Sequence, residues 1–111
     1  MDSQDGPGRI RLSGQQTLRN CEQLQATLLA ALASRRPVVV DAAAVSEADL
    51  SAVQALLAAR RTARAQGTPF TLAAPASGAL LDVLRRGGFV ADDGSGGRPD
   101  ADFWLQGADS P

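Results

Sequence analysis

The chain has 111 residues, enough for one hydrophobic core and too few for two. Its net charge of -1 excludes any general electrostatic attraction to nucleic acid or to an acidic membrane surface, so partners must be recognised locally. All 11 cationic side chains are arginine, and histidine, lysine and tyrosine are absent. That removes the histidine general base, the Ser-His-Asp triad, histidine-ligated zinc and the Schiff-base lysine.

Cys21 is the only cysteine, so neither an internal disulfide nor a thiolate metal cluster is available. The residues predict no cofactor and no metal site. The polar, Gly/Pro-bearing start from Met1 to Gly8 does not have the basic-then-apolar pattern of a signal peptide, and no apolar run reaches the roughly 18 residues of a spanning helix. A soluble protein of a reducing cytoplasm, without direct membrane insertion, is the expectation.

From Gly8 to Leu12, Ile10 and Leu12 alternate with Arg9 and Arg11, the period of a strand with one buried face; Ser13-Gly14 reads as a turn. Leu18, Cys21, Leu24, Leu28 and Leu32 then recur at helical spacing behind Thr17, a good N-cap residue. Pro37 stops that helix after Ser34-Arg35-Arg36. Val38-Val39-Val40, leading to Asp41, is β-branched throughout, as expected of a central strand covered on both faces, with a short turn expected to follow Asp41.

Leu50, Val53 and Leu57 announce a second helix, starting between Ala48 and Leu50 with Ser46 or Asp49 as cap. Arg60, Arg61 and Arg64 suit its negative C-terminal end, and Gly67 suits a left-handed cap. Pro69 to Ala73 reads as a short strand. Ser77 opens a third helix through Leu80, Leu81, Leu84, Arg85 and Arg86, stopped by Gly87-Gly88. Asp92 to Gly97 and Pro99 form a polar, Gly-rich stretch, and Asp102-Phe103-Trp104-Leu105 interrupts it as an edge strand or a segment docked on the core.

The resulting β-α-β-α-β-α order is that of an α/β sandwich. At Leu12-Ser13-Gly14, Val38-Val39-Val40-Asp41, Asp49-Leu50-Ser51-Ala52-Val53 and Leu84-Arg85-Arg86-Gly87-Gly88-Phe89 the chain resembles the STAS family, over roughly residues 10–89. The resemblance implies a small mixed β-sheet packed with three to four helices on one side. The domain is expected at residues 1–91, with its core at 9–90, and the Gly/Asp-rich composition beyond it reads 92–111 as a mobile tail with a short edge strand at 102–105.

In that family the second helix opens with Asp-Ser-Ser-Gly-Leu, whose second serine is phosphorylated by a kinase that doubles as an anti-sigma factor. Asp49 keeps the aspartate and Ser51 the phosphoacceptor, whereas Leu50, Ala52 and Val53 replace the other three residues. The implied partner surface is Asp41, Asp49, Leu50, Ser51, Ala52 and Val53. Two occupants fit: a serine/histidine-kinase-like anti-sigma factor or sensory kinase, or the ATPase of a lipid-trafficking ABC transporter with no phosphorylation.

Each residue also has a purely structural explanation. Ser51 satisfies a free N–H at a helix start, Asp49 is an N-cap, Asp41 caps a loop, Arg60, Arg61 and Arg64 answer the dipole, and Cys21 belongs to the core stripe. Asp92-Asp93, the nearest approach to a carboxylate pair, falls where neither positioning nor pKa tuning is available. A binding module, rather than an enzyme, is the expected class, with its oligomeric state open.

Overall fold

The strand beginning at Val38, immediately after helix-breaking Pro37, is the centre of the fold. A computed structural model of the chain describes residues 8–90 and 100–107. Its elements are β1 (Gly8–Gln16), a single 3₁₀ turn (Leu18–Asn20), α1 (Cys21–Ala33), β2 (Val38–Ala48), α2 (Leu50–Gln66), β3 (Phe70–Leu72), α3 (Gly78–Arg86) and α4 (Ala101–Leu105). The strands lie in the order β1-β2-β3, with Ile10 opposite Val40 and Val40 opposite Leu72.

Both pairings are parallel. The sheet expected to be mixed is therefore parallel throughout the described residues, because each connection between paired strands passes through a helix. Crossovers of one hand between successive strands lay their helices on the same face. Leu24, Leu28 and Leu32 of α1, Val53 and Leu56 of α2, and Leu80 and Leu84 of α3 form one apolar cluster with Val38, Val40 and Leu72. Val39 alternates out of that cluster and is still buried, flanked in register by Arg9 and Thr71.

Three local expectations change. β2 does not stop at Asp41 but runs on to Ala48, because Ala44, Val45, Glu47 and Ala48 find partners in Ser13 to Gln16. The turn expected at Ser13-Gly14 is accordingly strand, with two register shifts that let unequal lengths pair. The first helix does not begin at Leu18. A 3₁₀ turn comes first, Thr17 makes no side-chain cap bond, and the different rotation per residue swings Leu18 out of the core stripe to 71% exposure.

The end of α2 follows its sequence signal. Gly67 adopts φ 74°, open to a residue without a Cβ, and its N–H reaches the Ala63 and Arg64 carbonyls while Thr68 N–H donates to Ala63 at 2.8 Å.

Asp102 to Leu105 is helix, not edge strand. Asp100 and Ala101 turn the chain into α4, whose Phe103 stacks on Phe70 at 5.7 Å and whose Trp104 is completely buried. Ala76 N–H donates to the Trp104 carbonyl at 2.8 Å. Gly107 closes the docking: a Cβ there would run into the Ala74 backbone. The rest of the tail expected to be mobile lies outside the described residues.

Candidate functional site

β2 delivers the chain to Asp49 in an extended conformation, φ -133° and ψ -174°, and α2 begins at the next residue. A carboxylate at this N-cap meets N–H groups that have no partner within the helix. Asp49 Oδ1 accepts the Ser51 N–H at 3.0 Å and also the Ser51 hydroxyl. Its other oxygen accepts the Leu18 N–H at 3.0 Å, and its own N–H donates to the Gln16 carbonyl at 3.3 Å. One side chain thus joins the end of β1, the 3₁₀ turn and the first turn of α2.

These bonds favour the ionised carboxylate. The Ser51 hydroxyl is the largest influence holding the Asp49 pKa below its ordinary value, with the backbone N–H groups of Leu18, Ser51 and Ala52 adding to it against an opposing desolvation. The arrangement fixes the Ser51 hydroxyl in one orientation. It also places a proton acceptor directly on that oxygen, which is what transfer of a group to the hydroxyl would require.

Ser51 is half-buried on the wall of a groove of about 560 Å³ between the 3₁₀ turn, α1 and α2. Leu18, Cys21, Leu57, Arg61 and Phe89 also line it. Leu50, 46% exposed, follows Asp49 directly. The site is therefore a mostly apolar trough with Gln25 and Gln54 in its lining, one oriented hydroxyl on its wall, a carboxylate behind that hydroxyl and one guanidinium.

Of the six residues expected to form a partner surface, three sit together at the surface: Asp49, Leu50 and Ser51. Ala52 and Val53 do not. At 3% and 0% exposure they are core, because α2 turns them toward the sheet. Asp41 is also removed from the site, since the strand continues past it. Seven strand residues, Ala42 to Ala48, separate it from Asp49, roughly 26 Å of extended chain. Asp41 accepts the Ala43 N–H at 3.0 Å and lies 3.9 Å from Arg11, the local capping role of a strand aspartate.

The arginine strip is divided. Arg60 is drawn away to α4, where it pairs with Asp100 and lies 5.1 Å from the Phe103 ring centre. Arg61 lines the groove and Arg64 stays exposed in the last turn. Cys21, expected in the core, is half-buried on the groove wall. Leu18, Leu57 and Phe89 were not expected at the site. Only the last is near a sequence signal, the Gly87-Gly88 break that turns the chain back beside α2.

The family model of the MlaB STAS domain matches residues 1–91. Among solved structures, one described as a crystal structure analysis of Mglu superposes with a TM-score of 0.57 at 19% identity, covering 68% of this chain and 19% of that one. At that identity the likeness concerns the fold. No curated protein matches the sequence.

Proposed function

The chain belongs to the STAS domain family, and from that premise we propose that it is a non-enzymatic interaction module that docks a protein partner through the groove at the start of α2. Leu18, Leu50, Leu57 and Phe89 supply apolar contact, and Ser51 is the control point. The observation that carries this reading is the Ser51 hydroxyl, oriented by Asp49 beside two exposed leucines.

In its fuller form the partner is a serine/histidine-kinase-like anti-sigma factor or sensory kinase, and Ser51 is its phosphoacceptor. Phosphorylation would place close to two negative charges against the Asp49 carboxylate inside a mostly apolar trough. Both repulsion and desolvation then oppose docking, and the partner is released without unfolding the domain. A purified partner kinase is expected to label wild type and not Ser51→Ala. Equal labelling of the two would remove the phospho-switch.

A second reading is favoured by the exposed apolar surface itself. Leu18 and Leu50 are exposed beside the groove, and the Ser51 hydroxyl already has its hydrogen-bond partner, so docking needs no modification. The chain is then a small cytoplasmic STAS subunit seated on the ATPase of a lipid-trafficking ABC transporter. Affinity purification of the tagged chain from its own cells, with mass spectrometry of the bound proteins and of Ser51, separates the two. A kinase-type ATPase with modified Ser51 supports the switch; a transporter ATPase with unmodified Ser51 supports the subunit.

A further inference from the structure

The carboxylate of Asp49 is a rigid plane whose two oxygens answer to different walls of the groove. Oδ1 holds Ser51 through both its backbone N–H and its hydroxyl, and Oδ2 holds the Leu18 N–H at 3.0 Å. Neither oxygen can shift without carrying the other with it.

What Oδ2 holds has little other anchorage. The 3₁₀ turn Leu18–Asn20 buries no residue, and Thr17 before it makes no side-chain cap bond. The Asn20 N–H closes the turn on the Thr17 carbonyl at 2.8 Å, and the Asn20 side chain donates to the Gln15 carbonyl at 2.7 Å. Both of those bonds stay on the β1 side. The Leu18 bond crosses to the start of α2, joining residues 31 apart in sequence, and it fixes the turn that brings exposed Leu18 to the groove wall. Its acceptor is a carboxylate, which makes it stronger than a bond between neutral groups.

We propose that Asp49 couples Ser51 to this turn, so that a negative group on the Ser51 oxygen frees the Leu18 wall of the groove. Resting on the reading of Ser51 as the control point, this coupling adds a movable wall to it. The unmodified hydroxyl donates to Oδ1. A phosphorylated oxygen has no proton to donate. Its close to two negative charges repel the carboxylate and compete for the first-turn N–H groups that Asp49 occupies. The carboxylate turns away, Oδ2 leaves Leu18, and the turn is left on its β1 bonds alone. A docked partner then loses a fixed apolar contact on one wall as well as meeting charge on the other.

Amide hydrogen exchange of the full chain, resolved by NMR, tests the coupling, with Leu18 as the reporter and Leu56, buried within α2, as the reference. Phosphoserine placed at position 51 during synthesis, or Ser51→Glu, is expected to speed Leu18 exchange about tenfold and to leave Leu56 unchanged. Ser51→Ala removes the donor without adding charge and is expected to have the smaller effect, about twofold. Asp49→Asn keeps a helix cap but has a single acceptor oxygen, which cannot serve Ser51 and Leu18 at once. It is expected to speed Leu18 exchange by itself, and Ser51→Glu added to it is expected to change nothing further. Leu18 exchange that phosphoserine leaves unmoved, or that Ser51→Glu still speeds in the Asp49→Asn chain, overturns the coupling. Docking is read separately, by titration with the partner, so the groove reading can survive that result.

Discussion

The two ends of α2 are held by opposite physics. At its start, Asp49 and Ser51 make a polar junction that remains reachable from solvent, surrounded by exposed leucines. Farther along, Arg60 is nearly buried, paired with Asp100 and set against Phe103, while Trp104 beside that ring is fully enclosed. The first junction is left open to solvent; the second is covered by the chain's own last segment. The proposed docking and the stabilising contacts are thereby divided along one helix, and the stabilising part, α4, lies beyond the residues that the family match covers.

That division is tested most severely at Trp104. Trp104→Ala empties a fully buried ring site and is expected to cost about 3–5 kcal/mol in denaturant unfolding, more than any single change at the α2 start. A cost below that of Asp49→Ala would break the contrast. Asp49→Ala removes the helix cap and the acceptor for Leu18 N–H together, and is expected to cost about 1–2 kcal/mol by the same measurement.

Acid sharpens the contrast without mutation. The Asp49 pKa is lowered on folding, so the folded state binds the proton less readily than the unfolded chain. Its stabilising contribution is complete above about pH 4 and is lost as pH falls through the lowered value. Thermal melts between about pH 2 and 6 are expected to show a steeper acid decline for wild type than for Asp49→Asn. The smallest stability effect belongs to Ser51→Ala, about 0.5–1 kcal/mol for one partly exposed hydrogen bond. Its counterpart Ser51→Glu is expected to lower partner affinity about tenfold while leaving the fold intact, read by calorimetric titration.

How far these features were legible in the sequence depended on whether a local pattern also matched a tertiary need. The end of α2 at Gly67 and its start next to Asp49 were readable because cap chemistry acts within a turn. Motif position points Ala52 and Val53 to a partner surface, yet the helical period that places Leu56 inward places Val53 inward too, and the structure follows the period. Leu18 continues the apolar stripe by spacing and yet leaves the core, because a 3₁₀ turn changes the phase of the stripe and nothing in Thr17-Leu18-Arg19-Asn20 marks that turn. β2 extends through Ala42-Ala43-Ala44, a poor strand sequence, only because β1 offers it a partner. The helix α4 is too short for any period to show, and its helical form follows from docking Phe103 and Trp104 onto the core.

The enclosure of Trp104 has an optical consequence. The chain holds one tryptophan and no tyrosine, so its intrinsic emission comes almost entirely from a single indole. A red shift on heating or in dilute denaturant therefore reports departure of the C-terminal segment from the core. If that shift precedes the loss of helical ellipticity, the segment peels away as a separate, less stable unit. If the two coincide, the last turn of chain belongs to the same cooperative whole as the sheet.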